Sequence, residues 1–149
     1  NALPVTINCH TSYLPWNRGS QPNFWAWRDN TPHGVSIHRI TAGVDKGPLY
    51  AQRRVQFGEG ETLATSHERL QAEMFRLFAD TWTYLRRGML PEQAQKGKGS
   101  YHSSADFAAI RDKILPQGWE MPVSELRKKR ICAPSEEPRN DRILYLRAG

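Results

Sequence analysis

Between Thr65 and Leu85 the apolar residues Leu70, Met74, Leu77, Phe78, Trp82 and Leu85 recur at intervals of three and four. That spacing lays them along one stripe of a helix, and the stripe has to be buried against other elements of the fold. Thr65 with Glu68 reads as a capping box at the start. At the far end Arg86 and Arg87 suit the negative pole of the helix, Gly88 suits a C-terminal stop and Pro91 forbids continuation. The aromatic content of the stripe reads as core and not as a cofactor site. Any fold for this chain must therefore be built around one long packing helix.

Three strand-like segments precede that helix. Val5 to His10 is short, apolar and β-branched, and reads as a buried strand. Val35 to Ile40 alternates, and Leu49 to Phe57 is polar at alternate positions. Between the first two lie a loop over residues 11–22 and a short helix over residues 23–29, with Asn23 as its expected N-cap. Phe24, Trp25 and Trp27 cannot all share one helical face. Either one of them faces a ligand, a partner or solvent, or all three wedge between core and loop. After the long helix, residues 92–103 read as a glycine-rich loop, Ser103 or Ser104 caps a helix over Asp106 to Leu115, and residues 122–130 form a short helix. From Ala133 the pattern fails, apart from Arg142 to Leu146, which can pair as a strand.

A chain of 149 residues is sized for one domain with a real core. It has no apolar run of bilayer-spanning length, so no membrane role is expected. Its two cysteines, Cys9 and Cys132, make no disulfide framework, and a reducing cytoplasm is the expected location. The net charge of +6 is compatible with nucleic acid, anionic lipid or phosphorylated small molecules. The run Arg127-Lys128-Lys129-Arg130 reads as a solvated helix end or tail.

On a strand, Asn8 and His10 share one face, and Ile7 and Cys9 the other. About three dozen residues later Asp45 sits in a loop bracketed by Gly43 and Gly47. An amide, an imidazole and a carboxylate suit a reaction in which a carbonyl becomes tetrahedral. The amide can stabilise the oxyanion, the histidine can donate to it or relay a proton, and the carboxylate can orient the imidazole and accept a proton through water. Cys9 points the other way, which favours direct transfer to an amine over a covalent acyl-enzyme. No metal-ligand spacing is present and no Walker-type or dinucleotide glycine fingerprint. Spacing alone also allows these residues a purely structural role.

The stretches Ile7-Asn8-Cys9-His10-Thr11-Ser12-Tyr13-Leu14-Pro15-Trp16-Asn17-Arg18-Gly19, Gly34-Val35-Ser36-Ile37-His38 and Gly43-Val44-Asp45-Lys46-Gly47-Pro48 together resemble the folate-dependent formyltransferase superfamily. The loop after His10, the following Pro22-Asn23-Phe24-Trp25 and the later Gly99-Ser100-Tyr101-His102 most resemble sugar-nucleotide N-formyltransferases. The resemblance implies an α/β fold: the C-terminal half of a Rossmann-like formyltransferase domain with flanking helices. The resemblance places the family's N-terminal βαβ half outside these 149 residues, and if they are the whole molecule the Val5 to His10 strand is expected to have an uncovered edge. Residues 1–92 would be the catalytic half, 93–130 a helical extension and 131–149 an accessory or flexible tail.

By the same resemblance Asn8, His10 and Asp45 are the catalytic trio. Tyr13, Pro15, Trp16, Asn17, Arg18, Gly19 and Trp25 face the substrate, and Val44 and Asp45 face the cofactor. No metal is implied. Lys46 either points inward and lowers the pKa of Asp45 or is an exposed turn residue. The implied activity is transfer of a formyl group from 10-formyltetrahydrofolate, as co-substrate, to the amine of a nucleotide-linked amino sugar. The alternatives are a methionyl-tRNA formyltransferase-like fragment and a truncated, non-catalytic remnant. The expected partners are the nucleotide-linked amino sugar and folate. Nucleic acid is not expected, and a homodimer is compatible with the family.

Overall fold

The computed structural model describes residues 5–128. The expected tail over 131–149, including the strand at Arg142 to Leu146, lies outside them. In chain order the elements are β1 (Ile7–His10), β2 (Arg18–Gly19), α1 (Pro22–Asp29), β3 (Gly34–Arg39), β4 (Leu49–Arg54), α2 (Leu63–Leu85), β5 (Tyr101–His102), α3 (Ser104–Ile114) and α4 (Val123–Lys128). A single 3-10 turn, Gly118–Glu120, separates α3 from α4. The architecture is α/β, as the sequence indicates.

The main sheet runs β1-β3-β4, antiparallel throughout. In its register Asn8 lies opposite His38 and His10 opposite Ser36. Cross-strand partners project to the same face, so one face collects Asn8, His10, Ser36 and His38. The other face carries Val35, Ile37 and Ala51, which pack with Val55 against Leu70, Met74 and Leu77 of α2. The long helix is thus the lid on the apolar face, and the polar face looks toward the loop over residues 11–19.

β1 does not have the burial expected of it. Of its four residues only His10 is buried, and Cys9 is exposed. The reason is position: among the described residues β1 pairs with β3 alone and forms the edge of the sheet.

Helix α2 begins three residues earlier than the local pattern indicates. Thr62 is the N-cap: its hydroxyl accepts from the Thr65 amide at 3.1 Å, and Thr65 Oγ1 accepts from the Thr62 amide at 2.9 Å. The capping box is therefore Thr62 with Thr65, and not Thr65 with Glu68. What draws the start back is Leu63, fully buried in a second core with Phe24, Trp25, Trp27, Phe107 and Leu126.

This second core gathers α1, α3 and α4 around the start of α2. It also explains the three aromatics of α1: all are buried, because α1 is covered by α2 and α4. Asn23 is no N-cap. Gln21 takes that place with Pro22 as the first helical residue, a position where a missing N–H is harmless. Asn23 instead donates to Leu63 O at 3.1 Å and to Ser66 Oγ at 3.0 Å, with Trp27 Nε1 donating to the same hydroxyl at 3.1 Å.

Candidate active site

The polar face of the sheet is held to its loop by side chains of β3 and β4. Ser36 Oγ donates to Ser12 O at 2.7 Å and accepts from the Leu14 amide at 3.2 Å and from Gln52 Nε2 at 3.0 Å. Gln52 also donates to Leu14 O at 2.8 Å. The loop therefore follows the sheet closely. Its next residue of consequence, Asn17, is fully buried and donates to Thr31 Oγ1 at 2.7 Å and, through its amide, to Ser100 Oγ at 2.8 Å.

Asp45 comes to this face from the turn between β3 and β4. It has a φ of 50°, which L side chains rarely adopt. Two residues on, Gly47 leaves no alternative to glycine, because a Cβ there would overlap the Arg39 carbonyl. The turn delivers the Asp45 carboxylate into the cluster. Oδ2 accepts from the Gly19 amide at 2.8 Å, and Oδ1 accepts from Asn8 Nδ2 at 3.1 Å. His38 Nε2 lies 3.3 Å from Oδ1, and His10 Nε2 lies 3.7 Å from Oδ2.

Chemistry assigns the protons. The partner of His38 Nδ1 is the Arg39 carbonyl at 2.9 Å, and the partner of His10 Nε2 is the Asn17 carbonyl at 3.0 Å. A carbonyl only accepts, so both nitrogens carry hydrogen. Burial lowers the pKa of His10 and outweighs the Asn17 carbonyl and the Asp45 charge, which raise it. His10 is a neutral imidazole presenting an Nε2–H. Partial burial pushes the Asp45 carboxyl up. It is outweighed by the hydrogen bond with His38, the neighbouring His10 and the Gly19 amide, which hold it at about 2. Asp45 is ionised at neutral pH.

The expected residues fall into groups. Asn8, His10, Asp45 and Gly19 are in direct contact, and Asn17 bonds to His10. Arg18 is one step away, its Nε donating to Gln95 Oε1 at 3.4 Å and its Nη2 to Lys98 O at 3.3 Å. Tyr13 lies beside Gly34, and Pro15 is buried with its carbonyl accepting from the Ser100 amide at 3.1 Å. Trp16 is half-buried in the same loop. Trp25 lies apart from the cluster, buried and stacked flat on His102 with ring centroids 3.7 Å apart. Val44 is 56% exposed beside Asp45, and Lys46 is an exposed turn residue. Among the described residues no three His, Cys, Asp or Glu side chains could hold a metal ion. A cavity of about 300 Å³ lies between Trp27, His33, Phe57, Arg54 and Arg127 and shares no lining residue with this cluster.

An amide donor, a neutral imidazole donor and an ionised carboxylate thus converge on one partly open face. The formyl transferase family model matches residues 1–81 of the chain. The chain belongs to the formyl transferase family. It is 41% identical to the formyltransferase PseJ from Anoxybacillus kamchatkensis, solved in complex with UDP-4,6-dideoxy-4-formamido-L-AltNAc and tetrahydrofolate. That match has a TM-score of 0.79 and covers 83% of this chain and 65% of PseJ. A sugar N-formyltransferase from a Shewanella species is 28% identical with a TM-score of 0.68, over 71% of this chain and 43% of the other. The methionyl-tRNA formyltransferase of Xanthomonas campestris pv. campestris is 34% identical over 125 residues, 82% of this chain and 39% of the relative. The chain thus spans about two-fifths of the length of the curated relatives it matches.

In this formyl transferase family member two polar contacts of Asp45 escape the sequence reading. His38 had a signal: Ser36 and His38 alternate with Val35 and Ile37, so an imidazole on the Asn8 face is implied once the strands pair. Gln95 had none. It sits in a glycine-rich stretch, yet its Nε2 donates to Asp45 O at 2.7 Å and to Gly47 O at 2.9 Å.

Proposed function

We propose that this chain carries the reactive face of an N-formyltransferase that moves a formyl group from 10-formyltetrahydrofolate to the amine of a nucleotide-linked amino sugar. The observation that carries the reading is the convergence of Asn8, His10 and Asp45 on one face, with Asn8 Nδ2 3.1 Å from the carboxylate and His10 neutral. The substrate class is supported by the 41% identity to PseJ, whose complex contains a formamido sugar nucleotide and tetrahydrofolate.

In this reading the amine attacks the formyl carbon, and the carbonyl oxygen becomes an oxyanion. Asn8 Nδ2–H and His10 Nε2–H are the donors for it, the second once it leaves the Asn17 carbonyl. The Asp45 carboxylate, already ionised, takes the proton that the attacking nitrogen loses, directly or through a water. Collapse of the intermediate breaks the bond from the formyl carbon to the folate nitrogen, which picks up a proton as tetrahydrofolate leaves. The donor set fits a formyl carrier, and the exposed Val44 beside Asp45 offers apolar surface for its ring.

The test is tetrahydrofolate release from 10-formyltetrahydrofolate in the presence of nucleotide-linked amino sugars. Release that requires the sugar and disappears in His10→Ala bears the reading out. Release that survives His10→Ala overturns it. The 34% identity to a methionyl-tRNA enzyme favours a second reading, formylation of an aminoacylated tRNA. That reading predicts tRNA affinity falling steeply with added salt and formylation of charged tRNA in place of the sugar.

A further inference from the structure

Gln95 is remote in sequence from everything it touches. Its Nε2 sits between two carbonyl oxygens of one tight turn, those of Asp45 and Gly47, at 2.7 and 2.9 Å. Its Oε1 faces the Nε–H of Arg18 at 3.4 Å. The orientation of the amide is forced, since only the NH2 end can face two carbonyls and only the oxygen can face a guanidinium. The side chain is half-buried. Its segment is fastened on both sides: Gln93 pairs with Leu49 through both backbone groups, at 2.7 and 2.9 Å, and Tyr101–His102 pairs parallel with Arg18–Gly19. Gly99 lies so close to the Pro15 carbonyl that a Cβ would overlap it. The stretch from Gln93 to His102 therefore runs as a strap over both loops that build the site, and Gln95 is the side chain by which it grips the Asp45 turn.

The grip falls where the turn needs it. Asp45 has a φ of 50°, a conformation disfavoured for a residue with a Cβ, and its carboxylate must stay between the Gly19 amide and the imidazoles of His10 and His38. A turn held only by its own sequence can relax toward an ordinary backbone and carry the carboxylate away. We propose that Gln95 is a positioning residue of this site, clamping the left-handed Asp45 backbone through two carbonyls and tying it to Arg18 of the facing loop.

The inference rests on the reading of Asp45 as the proton acceptor, so its test has an arm that needs no turnover. In the full chain, carbon-13 NMR of the side-chain carboxyl would follow the titration of Asp45 in the parent protein and in Gln95→Met, which keeps the side chain's length and removes all three hydrogen bonds. The clamp predicts that the Asp45 titration rises from about 2 toward the ordinary value of about 4 as the Gly19 and His38 contacts loosen. A stabilising but unrelated Gln95 would leave it where it is. Gln95→Leu, uncharged and shorter, also removes the three hydrogen bonds, predicts the same upward movement, and stands in if the Met variant does not fold.

The second arm is formyl transfer, where both variants should lose about 100-fold in kcat with a smaller change in the KM for the amine, the signature of a misplaced group. An unmoved Asp45 titration in a folded variant overturns the clamp. A moved titration in a protein that transfers no formyl group supports the clamp and overturns the activity instead.

Discussion

His38 and Asp45 meet across the polar face of the sheet, with Nε2 3.3 Å from Oδ1, while the other imidazole nitrogen is spent on the Arg39 carbonyl. The imidazole's remaining nitrogen faces both the carboxylate and Asn8 Nδ2, the latter at 3.3 Å, and it either donates to the carboxylate or accepts from the amide, never both at once. The pair links β3 to the turn that follows it.

Replacing His38 by Phe keeps a ring in a buried position and removes that interaction. Since His38 lowers the pKa of Asp45, its loss raises it. The acid limb of kcat/KM for formyl transfer should move upward by about one pH unit. A limb that stays in place would show that the Gly19 amide, Asn8 and His10 hold Asp45 without His38.

Asn8→Ala removes the donor at 3.1 Å from Asp45 and, in the proposed mechanism, one of two oxyanion donors. Loss of one such donor costs about 100- to 1000-fold in kcat. Single-turnover formation of the formamide measures it directly. Because Asn8 lies on an edge strand and is half-buried, the melting temperature should change little.

Stability should fall in acid because of His33. Its ring lies against Trp27 at 4.3 Å and Phe57 at 5.1 Å, and among the described residues its buried Nδ1 has no hydrogen-bond partner. Burial first, then Arg127 and Arg54, lower its pKa to about 3. The unfolded chain therefore binds the proton sooner, and the folded state weakens as pH drops below about 6.5, down to about 3. Asp45 acts lower: its stabilisation is present above the ordinary carboxylate pKa of about 4 and is lost on approach to about 2. Urea midpoints measured from pH 7 to 5 should thus decline in the parent and decline less steeply in His33→Phe, where the lowered pKa of His10 still contributes. A parallel decline in both would remove His33 from the account.

Two packing predictions separate the helix from the turn. Leu70→Ala opens a cavity between α2 and the sheet at a residue 1% exposed and should cost about 2–5 kcal/mol by urea unfolding. Gly47→Ala has no cavity to report, since its methyl group meets the Arg39 carbonyl. It should displace the Asp45 turn, costing about 1–3 kcal/mol and most of the activity. Retention of full activity in Gly47→Ala would mean that the turn is more pliable than its contacts imply.

What the sequence disclosed follows the range of the interactions. Alternation along β1 separates Asn8 and His10 from Ile7 and Cys9, and period-three-and-four spacing marks α2; both are local and readable, although Trp82, expected in the buried stripe, is 46% exposed near the end of the helix. The start of α2 was misplaced because Thr65 has plausible partners on either side, and the choice belongs to Leu63 in a core built from distant helices. Asn23 shows the same effect: a good capping residue by type, taken inward by Leu63 and Ser66 some forty positions away. β1 is less buried than its β-branched and apolar residues suggest, because among the described residues it has one strand neighbour and not two. Gln95 reaches Asp45 across fifty positions, and nothing in its own neighbourhood records that destination.

The register of β1 on β3 has one more consequence. Asn8 opposite His38 and His10 opposite Ser36 is an arrangement of parity. A slip of β1 by a single residue would turn Ile7 and Cys9 toward the loop and bury both polar side chains against α2. A slip by two would keep the polar face but set Asn8 across from Ser36 and break its contact with Asp45. The site is therefore digital where it could have been graded: one alignment of the ladder works, its neighbours do not, and small deformations cannot interpolate between them.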